Sequence, residues 1–343
     1  MKKTLVAVAA MAAVTGAMAQ ATIYGNIDQA YAKSTTSVAG RQTSNSTGMT
    51  SYQMGSSQIG FKGEEDLGGG LKASFLHEMG VNTEMNDNTS ATRQAYVGLS
   101  GGFGALRIGK QYSNAFGNLI SADPFGANGG TGALYVGNVL IGNQGKSGDN
   151  PLRQDDGIQY DLPTFIPGVK IGLTKVTLGA DTGNGSLPKT GDSTGYAIQY
   201  ASGPLNVGFT SDSIKAQSLA ATGFTAAASS TTKLTTFAAG YDLGMAKITY
   251  NDGKIMNNGR GVKTSMTGLA VPMGAATLMV TSSTGKINTT AGDTALKGMQ
   301  YGGNYALSKR TVAYLHITNS TSTTRANVGT KTNGYGLGIH HSF

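Results

Sequence analysis

The sequence predicts an all-β fold, a transmembrane β-barrel of about sixteen antiparallel strands. Three features lead there: a final segment of period two, a secretory leader at the other end, and no stretch long and apolar enough to span a membrane as a helix. The final segment is Tyr335-Gly336-Leu337-Gly338-Ile339-His340-His341-Ser342-Phe343. Its odd positions are apolar or ring-bearing, and its even positions are small or polar. Alternation puts the odd residues on one face of a strand. An apolar outer face, a polar inner face and an aromatic tip suit a closing strand, with Phe343 as the C-terminal assembly signal.

The leader reads Met1-Lys2-Lys3, then an apolar run from Leu5 to Ala13, then Ala17-Met18-Ala19 as a small-residue cleavage site. These are the three regions of a signal peptide. Residues 1–19 are expected to be removed, leaving 20–343 as the barrel. An exported chain with this pattern belongs in the outer membrane of a Gram-negative bacterium, reached through the periplasm.

Composition narrows the classes. The mature part contains no run of about 18 apolar residues, so helices cannot carry it across a bilayer. With 52 Gly, no Trp and 13% charged residues, the chain is poor in the Leu/Ile/Val core of a soluble domain of this length. Gly and Ser fit tight turns and strands whose inner face meets water. The absence of Cys excludes a disulfide framework, a thiolate metal site and a thiol nucleophile. Of 26 basic residues two lie in the leader, so against 18 acids the mature chain keeps a net charge of +6. No nucleic-acid-binding pattern accompanies that excess, and an exported protein meets no genome. Inside a water-filled pore, the same excess favours anions.

Two kinds of connection separate the period-two segments. Short Gly-rich turns fall at 67–70, 101–104, 167–168, 203–204, 244, 274 and 309–310. Longer Ser/Thr/Asn/Asp/Gly-rich loops fall near 33–51, 82–91, 111–155, 181–193, 215–230, 257–260, 287–294 and 320–330. Fifteen connections imply about sixteen strands, expected at 9–11 residues each. Short turns on one side and long loops on the other match an outer-membrane barrel, with both chain ends on the periplasmic side. No fixed repeat of 20–50 residues supports a propeller or solenoid. A sandwich needs a dry inner face, whereas Thr22, Asn26, Asp28, Gln58 and Lys62 make this one polar.

Six ordered segments then carry a resemblance. They are Thr22-Ile23-Tyr24-Gly25-Asn26-Ile27-Asp28, Ser57-Gln58-Ile59-Gly60-Phe61-Lys62-Gly63-Glu64-Glu65-Asp66-Leu67-Gly68, the run Arg93 to Gly104, the run Arg107 to Tyr112, Gly157 to Asp161, and Tyr305 to Thr311. In order, spacing and terminal Phe the chain resembles the general porins of β-proteobacteria, and more distantly those of enteric bacteria. The resemblance implies a homotrimer of 16-stranded barrels, each with a third extracellular loop folded inward as a constriction. That loop is 111–155, the longest connection, and long loops without structure of their own are usually functional. The resemblance also implies that loop 82–91 reaches over an adjacent barrel.

The resemblance further implies a basic cluster on the wall facing acids on the loop. Arg93 and Arg153 match wall arginines, and Lys110 a basic position at the end of its strand. Where the family usually has Arg this chain has Gln58, and where some enteric relatives keep Lys it has Asn26. Both departures weaken the basic side. Alternation independently turns Gln58 and Arg107 inward, along with Lys62 and Tyr24 as pore-lining residues. It sends Arg93 toward lipid, at a cost of about 2–4 kcal/mol at mid-membrane, so a bulge or a rim position is expected there. Asp123 in Asp123-Pro124-Phe125-Gly126 is the expected acidic partner, with Asp28 and Glu78 as further lumen-facing acids.

Other chemistry finds no support. Glu64-Glu65-Asp66 reads as a solvated turn, and Gly145-Lys146-Ser147 lacks the P-loop glycine because residue 140 is Leu140. His77, His316, His340 and His341 have no metal-ligand spacing, and His341 shares the lipid-facing phase. No catalytic residue, metal or cofactor is expected. The expected function is passive diffusion of small hydrophilic solutes and ions, with anions preferred. The partners are a second and third copy, outer-membrane lipid, and the solutes. The alternatives are a porin specific for a sugar, phosphate or organic anion, and, from another class, a barrel hydrolase needing a Ser-His pair that does not stand out.

Overall fold

The computed structural model describes residues 21–51, 53–81, 92–128, 152–177, 192–216, 220–221, 224–225, 230–257, 260–289 and 292–343. The leader, loop 82–91 and the Gly145-Lys146-Ser147 segment lie outside them. The barrel strands are β1 (Thr22–Val38), β2 (Arg41–Thr50), β3 (Gln58–Gly68), β4 (Leu71–Gly80), β5 (Thr92–Gly101), β6 (Gly104–Tyr112), β7 (Arg153–Asp161), β8 (Val169–Val176), β9 (Ser193–Ser202) and β10 (Leu205–Ala216). Two-residue segments β11 (Ala220–Ala221) and β12 (Phe224–Thr225) pair only with each other. The barrel resumes with β13 (Ser230–Asp242), β14 (Lys247–Asn257), β15 (Arg260–Met273), β16 (Ala276–Thr289), β17 (Gly292–Ala306), β18 (Thr311–Thr324) and β19 (Gly329–Ser342). One helix, α1 (Asn114–Ser121), interrupts them after β6.

Every strand of this 17-stranded sheet pairs antiparallel with its neighbours. Strands β2 and β3 share one position, because β1 pairs with β3 over Thr22–Asn26 and with β2 over Ala30–Val38. The barrel therefore has sixteen staves. Closure comes from β1 against β19, from Asn26 opposite Ser342 to Val38 opposite Thr330. The backbones of Gly25 and Phe343 exchange two further hydrogen bonds, at 3.0 and 3.2 Å. Closure leaves no open edge in the apolar layer, where an unpaired peptide group costs several kcal/mol.

Alternation separates two surfaces. On β14 Ile248 and Tyr250 face out, while Thr249 and Asn251 are buried inward. On β19 Tyr335, Leu337, Ile339 and Phe343 are exposed on the outside, as the period-two reading requires. The seven short turns fall where the Gly-rich dipeptides put them. In Gly68-Gly69-Gly70 all three residues have positive φ, which only glycine adopts without strain.

Three of the expected long loops, 33–51, 287–294 and 320–330, are largely strand. Strand β1 runs 17 residues and turns at Ala39-Gly40, both with positive φ as a type I′ hairpin requires. The region 320–330 is mostly β18 and β19, with only 325–328 between them. Strands also reach Asn257 and Arg260, and Thr289 and Gly292, on either side of two further connections. The 9–11-residue expectation holds for β2 to β7, β9 and β14, whereas β1, β10, β13 and β15 to β19 exceed it for the same reason. Outside the apolar layer a strand needs no apolar residue at every second position, so Ser, Thr and Asn runs there look like loop. The longest connection is likewise shorter than 111–155, since β6 ends at Tyr112 and β7 begins at Arg153.

A small apolar core also sits inside the barrel, where only water was expected. Ala115, Leu119 and Leu152 pack against Leu234, Ile255 and Met266 of β13, β14 and β15.

At the closure seam, a Cβ on Gly25 would lie 2.6 Å from the Phe343 ring and 2.5 Å from a backbone oxygen. Gly25→Ala is expected to destabilise the folded barrel by about 1–3 kcal/mol, the usual cost of overpacking. Urea unfolding should show the loss, and Phe343→Leu in the same chain should recover part of it.

Candidate functional site

One arc of the inner wall, from β1 through β7, gathers the charged residues. Its position depends on a bulge. In the β4–β5 ladder Glu78 faces Gln94, whereas the next residue, Met79, faces Thr92. Arg93 is the extra residue between them. The bulge releases it from the alternation that would send it into lipid and turns its guanidinium toward the wall acid. Its Nε donates to Glu78 Oε1 at 2.9 Å, and its Nη2 to the Tyr112 hydroxyl at 2.6 Å.

Glu78 is the centre of this group. It is buried, and its second oxygen accepts from the Tyr24 hydroxyl at 2.9 Å and from Gln58 Nε2 at 3.1 Å. Gln58, in the place of a family arginine, thus supplies a neutral donor to the same carboxylate. The backbone leaves room for the stack, since a Cβ on Gly60 would lie 2.4 Å from the Tyr24 ring. Lys62, exposed to the lumen, holds its ammonium 5.1 Å from the centre of that ring.

Tyr112 plays the corresponding part beside Arg153. The Arg153 guanidinium lies 4.9 Å from the Tyr112 ring centre, and its Nη2 donates to the hydroxyl at 3.3 Å. A second irregularity follows, with Gly109 opposite Gly157 and Gln111 opposite Gln154. Within it Lys110 pairs with Asp155 at 2.9 Å. Arg107, turned inward as alternation requires, pairs with Asp161 at 2.5 Å. Among the described residues, Arg93, Lys110 and Arg107 thus have carboxylate partners, whereas Lys62 and Arg153 have aromatic faces instead. Asn26 lies at the margin of the group, its side-chain oxygen buried without a hydrogen-bond partner.

Opposite this arc stands α1. Ser113 caps it, accepting from Phe116 N at 3.0 Å, and Ala115 and Leu119 turn to the wall at helical spacing. Asn118 is fully buried, and its Nδ2 donates to the Thr236 hydroxyl at 2.9 Å and to Gly208 O at 3.3 Å. A Cβ on Gly208 would collide with Asn118, so glycine is what lets the helix approach. Asn251 donates to the carbonyls of Leu119 and Ala122, satisfying the end of the helix from the wall. The described part of this connection, 113–128, is thereby fixed inside the barrel.

Two of the expected acids serve the backbone rather than a cation. Asp123 accepts from Phe125 N at 2.9 Å and Ala127 N at 2.8 Å, closing the turn after α1. Burial pushes its carboxyl up to about 6, against the opposing pull of those two N–H groups. Asp28 is fully buried, holding Met54 N at 2.8 Å, Gly55 N at 3.1 Å and the Tyr314 hydroxyl at 2.5 Å. It fastens the segment between β2 and β3 inside the lumen. There Gln53 O meets His316 Nδ1 at 3.3 Å, and His316 lies edge-on to Phe125 at 5.0 Å. His316 therefore joins two inward segments.

Sequence reasoning missed Tyr112, Asn118, Asn251 and His316 in these roles. The cap Ser113 followed by apolar residues at 115, 116 and 119 was a helix signal available in the sequence. Nothing in a single chain pairs Asn118 with a wall 90 residues away. Among the described residues no group of three His, Asp or Glu could hold a metal ion.

A closed antiparallel barrel with an apolar outside, a charged inner arc and a helix packed within it defines a porin-type outer-membrane protein. The profile of the Gram-negative porin family matches residues 7–325, and the chain belongs to that family. It is 32% identical over 249 residues to an outer membrane porin protein of Bordetella pertussis, covering 65% of this chain and 62% of that one. It is 41% identical over 112 residues to the major outer membrane protein P.IB of Neisseria meningitidis, covering 32% of this chain. The matched region spans about a third of that relative's length and under two thirds of the Bordetella protein's. In fold it is similar to an anion-selective porin of Comamonas acidovorans, with TM-score 0.78, 24% identity, and coverage of 95% of this chain and all of that one. It is also similar to OmpF of Salmonella typhi, with TM-score 0.69, 14% identity, and coverage of 95% and 98%. Membership places it in the outer membrane.

Glu78→Gln leaves Arg93 buried without its counter-charge, a loss of about 3–5 kcal/mol for a buried pair. Chemical unfolding should show that loss, whereas Gln58→Ala, removing one neutral donor, should cost about 1 kcal/mol.

The Asp123 carboxyl, raised above its unfolded value, binds a proton more readily when folded. Its turn should therefore be weakest above pH 6 and strengthen as pH falls from about 6 toward 4. Hydrogen-exchange protection of residues 123–128 should be higher at pH 5 than at pH 7.5, with Asp123→Asn abolishing the difference.

Proposed function

We propose that the barrel is a water-filled channel for passive diffusion of small hydrophilic solutes, with a preference for anions. The observation that carries the preference is the imbalance on the inner arc. Three cations there are held by carboxylates, while Lys62 and Arg153 rest on the faces of Tyr24 and Tyr112. An aromatic face positions a cation without cancelling its charge, so both remain available to a passing anion. Cations lining one side of a narrow lumen replace part of an anion's hydration and repel cations. Asp123, the acid expected to balance them, spends its oxygens on backbone N–H groups.

In this reading α1 and the rest of 113–128 contribute the constriction, narrowing the lumen from the β10–β14 side while the basic arc lines the other. The similarity in fold to a porin described as anion-selective agrees with this. The assembly is a homotrimer, each barrel with its own channel, and residues 1–19 are a leader removed on export.

Single-channel recording across a KCl gradient tests the reading. Conductance in steps of three with a chloride-favouring reversal potential is expected. Arg153→Gln together with Lys62→Gln should move the reversal potential toward zero or past it, with little change in step size. A cation-favouring potential in the unaltered protein would remove the anion preference, and no conductance from folded protein would remove the channel.

A further inference from the structure

The outer surface carries a second basic feature that the lumen does not use. On the strands from β14 to β16 the outward side chains change in the same order toward the end with the long connections. Strand β14 presents Ile248, Tyr250, Asp252 and then Lys254, and β15 presents Leu269, Thr267, Ser265 and then Lys263. Strand β16 presents Leu278, Val280, Ser282, Thr284 and then Lys286. Apolar residues give way to polar ones, hydroxyls on β15 and β16 and Asp252 on β14, and then to lysine.

The three lysines are direct cross-strand partners. Lys254 stands opposite Lys263, and Lys263 stands opposite Lys286. All three side chains share the outer face and are exposed. Neighbouring strands lie about 5 Å apart, and like charges directly opposite each other destabilise a sheet. The available acids only partly relieve this. Asp293 pairs with Lys286 at 2.5 Å, while Asp252 lies near enough to Lys254 and Lys263 to attract both but forms no ion pair with either. Lys233 on β13 and Lys297 on β17 lie on the same face at either side of the row. Such an arrangement stays favourable where a multiply charged anion lies against the sheet. Just beyond the apolar band of a membrane protein, the anions at hand are lipid headgroups.

We propose that Lys254, Lys263 and Lys286 form a binding site on the outer wall for the phosphate groups of a lipid, in the leaflet at the long-connection end. With the long connections outside, as in other outer-membrane barrels, this is the outer leaflet, and the ligand is a phosphorylated glycolipid. The acyl chains run down over Tyr250, Leu269 and Leu278 while the phosphates span the lysines. This proposal stands independently of the channel's ion preference.

The test uses the folded barrel in a neutral detergent, titrated with bisphosphorylated lipid A and with its dephosphorylated form, bound lipid being counted by native mass spectrometry. Bisphosphorylated lipid should bind the unaltered protein, and the dephosphorylated form should bind much more weakly. Lys254→Gln, Lys263→Gln and Lys286→Gln combined should weaken binding on the order of a hundredfold, given what three lysines contribute near an anionic surface. The corresponding triple arginine variant should retain it. Single-channel conductance of the glutamine variant should equal that of the unaltered protein, showing that it folds. Equal binding of the dephosphorylated lipid, unchanged binding by the glutamine variant, or full displacement by an equal concentration of inorganic phosphate would each overturn the proposal. So would finding the three lysines covered by a second copy in chemical cross-linking of lipid-free protein.

Discussion

In a bilayer each peptide N–H and C=O must find its partner within the protein, and this requirement orders everything else in the molecule. A sheet meets it only by closing on itself. Here closure falls on β1, which pairs with β19 on one side and with both β2 and β3 on the other. The last residue, Phe343, completes the ladder against Gly25. Once the ring is closed, alternation fixes which side chains meet lipid and which meet the lumen. The charged arc, the helix and the interior core are all placed by that division.

Within such a frame, chemistry enters where the ladder is irregular. A regular β5 would bury Arg93 in lipid, and one extra residue in the ladder brings it to Glu78 instead. The irregularity between β6 and β7 does the same for Lys110 and Asp155. Buried charge is tolerated at Glu78 because each of its oxygens is satisfied, by Arg93, Tyr24 and Gln58. The two tyrosines matter twice, as hydrogen-bond partners and as faces on which Lys62 and Arg153 rest. On the opposite side amides do the holding: Asn118 of α1 and Asn251 of β14 join the helix to strands far away in sequence.

The fold was legible because its signals are local. Alternation in β19, Gly-rich turns and the lack of a helix-length apolar run are each read from a few neighbouring residues. The overestimated loops show the limit of that reading, since Ser/Thr/Asn-rich strands such as β2 carry no apolar alternation once outside the membrane layer. At the inner arc, alternation turned Gln58 and Arg107 inward and flagged Arg93 as an exception needing a bulge or a rim position. Alternation said nothing of what each side chain would meet. Asp123 and Asp28 were read as acids for the pore, but Asp123 accepts from N–H groups of its own turn, and Asp28 from the Tyr314 hydroxyl and two distant backbone N–H groups, partners that no local pattern reveals. Lys62 and Arg153 stand out only when every other cation on the arc has been matched to its carboxylate.

The position of Asp28 has one more consequence. Its carboxylate holds Met54 and Gly55 from the segment between β2 and β3 and Tyr314 from β18, and Gln53 beside them leans on His316 of the same strand. A segment near the beginning of the chain is therefore seated on side chains supplied near its end. During synthesis and export those residues arrive last, so the inward segment can settle only after the sheet has become a ring. Its ordering thereby reports that assembly is complete, and an incompletely closed barrel lacks one wall of its own lumen.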